Sequence, residues 1–243
     1  MKKAKAGIRA LLWCAGLGVT ALAFVAPGFW SQALWAQAAD PDARASAAIL
    51  DARRIDSIYN GMKTLRAEFT EIYSGGGIQR NESGTLWIKK PGKMRWDYTA
   101  PEKKILVIDG STAWFYVPGE QQARRIQVKN LDDLRSPLRY LLGRTRLEKQ
   151  LRGLSLAPDV APEAAGDVML RGVPVGMEDR VSQVLLESDG QGYLRRIVMD
   201  ELDGSRTEFR LQGQHENVAL DDAQFHFRPP AGVEILESNQ LEP

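Results

Sequence analysis

Apolar and polar residues alternate most regularly between positions 83 and 118 of this chain. Within this stretch Met94, Trp96 and Tyr98 alternate with charged residues, the two-residue period of a strand with one apolar face. Turn signals such as Asp109-Gly110 punctuate the stretch and favour antiparallel pairing. Four strands are predicted here: Thr85–Lys90, Lys93–Tyr98, Lys104–Ile108 and Ala113–Val117.

The rest of the chain after this stretch is also dominated by strand patterns. Short strands in this number, joined by tight turns, curl into a barrel or a strongly bent sheet. We therefore expect a mostly β (α+β) fold, an incomplete antiparallel β-barrel or strongly curved sheet of about ten to eleven strands. The further predicted strands are Arg124–Lys129, Leu154–Leu156, Asp167–Arg171, Gln183–Glu187, Leu194–Asp200, Ser205–Leu211 and Gln224–Phe227.

Two segments show the helical period instead, and we expect them to cover one face of the sheet or to plug its mouth. The first runs from Ala45 to Phe69, although residues 69–73 could equally begin a first strand. The second opens at Ser136-Pro137, a favourable N-cap followed by proline at the first helical position. The apolar positions of the two segments are Ile49, Ala52, Ile55, Ile58, Met62, Leu65 and Phe69, then Leu138, Leu141, Leu142, Leu147 and Leu151.

The N-terminus has the pattern of an export signal. A basic start precedes the apolar run from Leu11 to Ala26, and Ala36-Gln37-Ala38 fits a cleavage site. A retained anchor or a lipoprotein signal at Cys14 fits less well, because Pro27-Gly28 ends the run and Trp13 precedes the cysteine. We expect a cleaved signal at 1–38, a flexible leader at 39–48 and a single domain at 49–243, located in the periplasm.

Charge and composition narrow the function further. Without the four basic residues of the signal, the 32 basic residues fall to 28 against 31 acidic ones, a net charge of −3. This balance gives no electrostatic reason to expect nucleic acid as a partner. Nucleophile-elbow, zinc-protease and phosphate-loop motifs are absent, and the two histidines have no second ligand at metal spacing. We expect neither enzymatic activity, nor a metal, nor a cofactor; a hydrolase whose triad is assembled only in space stays open.

The concentration of aromatic residues in the first strands allows two interpretations. One is an ordinary hydrophobic core. The other is an apolar surface that binds a ligand under the amphipathic helices, since methionine and leucine adapt to variable apolar partners. Lys90 shares its face with Leu86 and Ile88 by alternation. It either reaches solvent past the strand end or holds a covering helix through backbone carbonyls.

Two sequence blocks carry a family resemblance. The run from Gly84 to Pro91, followed by Met94-Arg95-Trp96 and by the run from Trp114 to Pro118, resembles the LolA family of outer-membrane lipoprotein carriers. The ending from Phe225 to Val233 is similar to the C-terminal signature of that family.

The resemblance implies a periplasmic chaperone whose half-barrel is closed by a helical lid. Such a carrier accepts acylated lipoproteins from a LolCDE-type ABC transporter of the inner membrane. It shields their acyl chains and passes them to a LolB-type outer-membrane receptor where one exists, acting as a monomer. Many family members have arginine at the position of Lys90, where it is taken to close the lid, and lysine lacks the planar fork of arginine.

The alternatives are a lipid-sensing regulatory or interaction domain, or a carrier of another envelope lipid such as a glycolipid or hopanoid. For the carrier, we expect Lys90 to close the lid. The residues expected to line the acyl-chain cavity are Leu86, Ile88, Met94, Trp96, Tyr98, Leu106, Ile108, Trp114, Tyr116, Leu138, Leu141 and Leu142.

Overall fold

The computed structural model describes residues 41–128, 140–141 and 146–237, and these form one sheet with a long helix against it. The signal segment and the opening of the second predicted helix lie outside the described residues. The elements are α1 Pro41–Gly61, β1 Thr64–Gly75, β2 Ile78–Lys89, β3 Lys93–Ala100, β4 Lys104–Asp109, β5 Thr112–Tyr116, β6 Gln122–Gln127, α2 Leu147–Gln150, β7 Leu151–Leu156, β8 Val168–Pro174, β9 Val181–Ser188, β10 Leu194–Glu201, β11 Arg206–Glu216 and β12 Glu234–Glu237.

The strands form a single 12-stranded sheet in the order β12-β6-β5-β4-β3-β2-β1-β11-β10-β9-β8-β7. The pairs are antiparallel except β12 with β6, which is parallel. The order ends at β12 and β7 without closing on itself, so the sheet is an unclosed barrel. The predicted fold class is confirmed, with twelve strands in place of ten to eleven.

The first predicted helix has different limits from those that the pattern indicates. Helix α1 begins at Pro41, inside the stretch assigned to the leader, and ends at Gly61. Leu65 and Phe69 belong to β1, which pairs with β2 through the turn at Gly76 and Gly77. The helical prediction for them was wrong because their four-residue spacing suits both a helical face and every second residue of a strand.

Of the second predicted helix, the structure describes only residues 140–141 and the C-terminal part from residue 146. Only Leu147–Gln150 is α-helical there, and Leu151 already starts β7. Tyr140 and Leu141 are buried in the main core. No helix among the described residues is long and apolar enough to cross a membrane.

The C-terminal prediction also needs correction. Residues 224–227 do not form a strand, because Asp222–Phe225 is a 3-10 helix capped by the Asp221 side chain. The last strand is β12, whose two glutamates flank Ile235 and Leu236 and which adds to the edge of β6. Its parallel pairing with a distant strand leaves no local turn signal in the sequence.

The two faces of the sheet are covered by different parts of the chain. The face that carries Leu86, Trp96, Phe209 and Leu186, called the inner face below, packs against α1 and forms the main core. On the opposite, outer face a smaller cluster lies around Leu185 and Val198. Polar groups hold the loop after β7 on the outer face, since fully buried Glu187 accepts from the Glu163 amide at 2.7 Å and pairs with Arg196 at 2.7 Å.

Candidate functional site

Strand register places a continuous apolar row across the inner face. Leu86 of β2 lies opposite Trp96 of β3, Trp96 opposite Leu106 of β4, and Leu106 opposite Phe115 of β5. Residues directly opposite in antiparallel strands share one face of the sheet. A second row, Ile88, Met94, Ile108 and Ala113, runs beside it toward the end of α1.

Trp96 lies at the centre of an aromatic cluster on this face. Its ring centroid is 4.5 Å from that of Phe69 and 5.7 Å from that of Phe209, both in edge-on geometry. Tyr98 adds a further edge-on contact with Phe69 at 5.0 Å. Edge-on aromatic pairs add about 0.5–1.5 kcal/mol each beyond the area that they bury. The cluster joins β1, β3 and β11 into one apolar floor.

Gly84 makes room for this floor. It lies opposite Phe69, and a Cβ atom at Gly84 would stand 2.0 Å from the Asp97 carbonyl oxygen and 2.9 Å from the Phe69 ring. Only the absence of a side chain lets the ring lie over β2. Gly84, the first residue of the block that resembles the family, therefore has a steric reason to be glycine in this chain.

Helix α1 packs on the inner face beside β7 and β8 with one buried stripe, made of Ala48, Ala52, Ile55 and Tyr59, and buried Met62 follows the end of the helix. The Tyr59 hydroxyl donates to Gln214 Oε1 at 2.7 Å and accepts from the Leu194 amide at 3.0 Å. Burial raises the pKa of the Tyr59 hydroxyl far above its ordinary value, so it stays a neutral donor. The helix is thus joined to the sheet by an apolar stripe and a short polar network.

Lys90 makes the second polar connection between α1 and the sheet. Its Nζ donates to the backbone carbonyl oxygen of Tyr59, in the last turn of α1. The carbonyls of that turn have no partner inside the helix, and a cation there also suits the helix dipole. Burial lowers the pKa of the Lys90 ammonium below its ordinary value. The hydrogen bond is therefore partly offset by the lost hydration of the ammonium.

The opposite end of the inner face is charged. Glu71 and Glu82 lie opposite each other on β1 and β2, and Lys104 forms an ion pair with Glu82. The Tyr98 hydroxyl donates to Glu71 Oε2 at 2.8 Å, and the Lys104 ammonium lies 5.6 Å from the centroid of the Tyr98 ring. The inner face thus changes from apolar under the end of α1 to charged at its far side.

A cavity of about 570 Å³ opens beside this charged end. Phe115 and Val117 form its apolar part, and Lys104 and Arg124 line it together with acidic side chains. Phe115 continues the row that begins at Leu86, so the cavity leads to the margin of the aromatic floor. Its volume falls within the range of about 300–1,000 Å³ that is typical of small-ligand pockets.

Most predicted cavity residues lie together on the inner face, where they are packed as a core is packed. Tyr98 and Leu106 are partly buried against this cluster. Leu138 and Leu142 lie outside the described residues. The buried members are Leu86, Ile88, Met94, Trp96, Ile108 and Leu141.

Trp114 and Tyr116 were wrongly expected on this face. Trp114 lies opposite Val107, and Tyr116 opposite Ile105, which places both on the outer face. There they contact the Phe227 ring, with centroids 5.7 and 5.5 Å apart. In a run of three aromatic residues, hydrophobicity does not indicate which residue points inward. The choice of Trp114 and Tyr116 over Phe115 therefore had no support in the sequence pattern.

Sequence reasoning missed several inner-face residues. Phe115, Phe209 and Tyr59 were not assigned to the site, and neither was Phe69, which the pattern allows in either the first helix or a first strand. Pairing Leu106 with the residue across the Asp109-Gly110 turn would have found Phe115. Phe209 and Tyr59 come from distant parts of the chain, and no local signal joins them to Trp96. No cluster of three or more potential metal ligands occurs among the described residues.

Comparison with known proteins finds relatives along most of the chain. A family model described as "Outer membrane lipoprotein carrier protein LolA" matches residues 60–228. An outer-membrane lipoprotein carrier protein of Sodalis glossinidius is 29% identical over 199 residues, covering 78% of this chain and 89% of the relative. Another, of Dechloromonas aromatica, is 31% identical over 189 residues and covers 75% and 86%.

One solved structure shares this fold. An uncharacterized conserved protein from Thermus thermophilus aligns with a TM-score of 0.50 at 15% identity. The alignment covers 80% of this chain and 99% of that protein. At this identity the likeness speaks for the shared architecture alone.

Proposed function

We propose that this chain, which belongs to the LolA family of outer membrane lipoprotein carrier proteins, is a periplasmic carrier. The protein accepts acylated lipoproteins at the inner membrane, shields their acyl chains and delivers them to the outer membrane. A LolCDE-type ABC transporter supplies the cargo, and a LolB-type receptor takes it where one exists. Carrying a cargo makes and breaks no covalent bond, so the role needs neither catalytic residues nor a cofactor.

The energetic need for such a carrier follows from the hydrophobic effect. A tri-acylated cysteine exposes about 45 methylene groups, and at about 0.8 kcal/mol each their exposure to water costs on the order of 35 kcal/mol. A soluble carrier must therefore replace the membrane as a shield. It must also release the chains without hydrolysing a nucleotide itself, which requires a cover that opens easily.

The observation that carries the proposal is an apolar floor that shares one core with helix α1. The floor consists of Leu86, Trp96, Leu106 and Phe115, and the Lys90 hydrogen bond to the Tyr59 carbonyl fastens the end of the cover. Protein side chains occupy the space under α1 in this structure. Three acyl chains are larger than the drug-sized ligands that a cavity of about 570 Å³ holds. We infer that loading displaces α1 and exposes the floor.

Photo-crosslinking from both faces of one strand tests this function. Phe115 on the inner face and Trp114 on the outer face are replaced, one at a time, by a photoreactive phenylalanine in cells fed an alkyne-tagged fatty acid. We expect tagged, acylated proteins to crosslink at position 115 and not at position 114. Mass spectrometry of the crosslinked products identifies the cargo.

Other products would decide against the lipoprotein carrier. Crosslinks to one protein without an acyl tag would indicate the regulatory domain, and crosslinks to free lipid would indicate a carrier of another envelope lipid. Equal yields of acylated protein at positions 114 and 115 would contradict the assignment of the cargo to the inner face.

A further inference from the structure

The indole N–H of Trp96 is a buried donor without an acceptor. Trp96 is 0% exposed, and its Nε1 has no hydrogen-bond partner among the described residues. Buried N–H groups in folded proteins are paired in the large majority of cases, because a donor that is removed from water and left unpaired is costly. An exception at the centre of a candidate site calls for an explanation.

Among the residues that the structure describes, no oxygen accepts a hydrogen bond from this donor. Phe69 and Phe209 contact its ring edge-on, and the cross-strand neighbours are Leu86 and Leu106. Tyr98 lies on the same face of β3, and its hydroxyl is bonded to Glu71. Trp96 therefore places one polar hydrogen inside an apolar floor.

We propose that the Trp96 indole N–H donates to a carbonyl oxygen at the head of a bound acyl chain, an ester or amide carbonyl of the cargo. The inference rests on the proposed function, because it assigns a polar contact within the same site. Hydrocarbon alone slides along an apolar surface, so one hydrogen bond at the floor sets how deep the chains lie. The bond exists only when ligand is present, so it favours the loaded state over the empty one.

Two probes of equal chain length separate this contact from general apolar binding. The glycerol diester of octanoic acid carries carbonyl groups, whereas the glycerol dioctyl ether lacks them. We expect the wild-type protein to bind the diester about threefold to tenfold more tightly than the diether, as a single net hydrogen bond allows. Trp96→Phe keeps an aromatic ring but removes the donor. We expect it to bind the two probes equally, while Trp114→Phe on the outer face keeps the preference.

The wild-type protein provides a second measurement that does not depend on a variant. After residue 39 the chain has three tryptophans, Trp87, Trp96 and Trp114, so an indole ¹⁵N label gives few signals. We expect the Nε1–H proton of Trp96 to shift downfield with the diester and not with the diether. The other two indole signals should stay in place.

The results of these measurements separate a failure of the Trp96 hydrogen bond from a failure of the proposed carrier function. Binding of both probes with equal affinity and no shift at Trp96 would overturn the inference and leave the carrier function standing. A Trp96 signal already typical of a bonded N–H in the empty protein would show that water occupies the donor, and would overturn it as well. Failure of the wild-type protein to bind either probe would overturn the proposed function and with it the inference.

Discussion

Neighbouring residues of this protein serve opposite faces of the sheet. Lys90 reaches inward to the Tyr59 carbonyl of α1, whereas Lys89 reaches outward to the Leu220 carbonyl at 2.9 Å and to Asp222 at 2.8 Å. Alternation alone predicted that Lys90 shares a face with Leu86 and Ile88, and the contact with α1 agrees with this. Its role in opening and closing the helix stays a prediction.

Lys90→Met removes the ammonium and keeps most of the apolar stem. We expect α1 to detach more easily, with a loss of about 1 kcal/mol in its opening free energy and amide exchange about fivefold faster across residues 48–60. Hydrogen exchange followed by mass spectrometry measures this. Lys89→Met is the matched control, since its contacts lie on the outer face, and equal acceleration in both variants would contradict the role of Lys90.

Individual elements are held in place by ion pairs and hydrogen bonds between residues that are distant in the sequence, and no local pattern predicts these contacts. The segment from Val218 to Phe227 lies across the outer face, although its alternating residues suggested a strand at its end. Asp222 pairs with Lys89 and with Lys93 at 3.0 Å, and Arg95 Nη1 donates to the Gln224 carbonyl at 3.0 Å. These charged contacts fasten the 3-10 helix, while the Phe227 ring rests on Trp114.

The attachment of this segment should depend on acid pH. Hydrogen bonds from Lys89 and Lys93 lower the pKa of Asp222 to about 2 in the folded protein, from an ordinary value of 3.8. A carboxyl group with a lowered folded pKa adds stability above its unfolded pKa and loses that stability as the pH falls toward the folded value. The contribution is therefore present above pH 4 and disappears between about pH 4 and pH 2.

Asp222→Asn tests this dependence through the difference in urea midpoint between wild type and variant. We expect a lower midpoint for the variant at pH 5 and a difference that vanishes toward pH 2. Asp179→Asn is the control, because its carboxylate is 79% exposed and such surface pairs contribute little. A difference for Asp222→Asn that stays constant with pH would show that the ion pairs do not hold the segment.

At the scale of the whole molecule, the sheet and its cover differ in how they are stabilised. Every strand between the two edge strands, β12 and β7, is joined to two neighbours by backbone hydrogen bonds. Helix α1 has no strand neighbours of this kind and is held by the apolar stripe and by side-chain contacts of Tyr59, Lys90 and Asp56, the last of which accepts from the Leu147 amide. Local opening should therefore begin at the helix while the sheet persists.

Ligand binding should change the amide protection of α1 and of the sheet in different ways. We expect a peptide with a diacylated N-terminal cysteine to reduce amide protection in α1, because the acyl chains replace the helix on the floor. Protection in β1 and β11 should stay unchanged or rise. Hydrogen exchange of the empty and loaded protein measures both, with the same peptide lacking acyl chains as the control. Protection of α1 that rises on loading would mean that the chains bind without displacing it.

The parts that the sequence predicted correctly depend on neighbours along the chain. Alternation defined β3 and β4, the Asp109-Gly110 turn marked the hairpin between β4 and β5, and the face of Lys90 followed from counting along β2. The family resemblance came from such local blocks as well. Side-chain alternation and tight-turn geometry are set by residues within a few positions, so one sequence suffices to recognise them.

The tertiary structure decided what depends on register and on distant partners. It turned Phe115 inward and Trp114 outward, joined Phe209 to Trp96, ended α1 at Gly61 and paired β12 in parallel with β6. A shift of one residue in register reverses the face of a whole strand, and contacts across a hundred positions have no local period. Only the complete sheet, with its cover in place, determines which side chains form the floor.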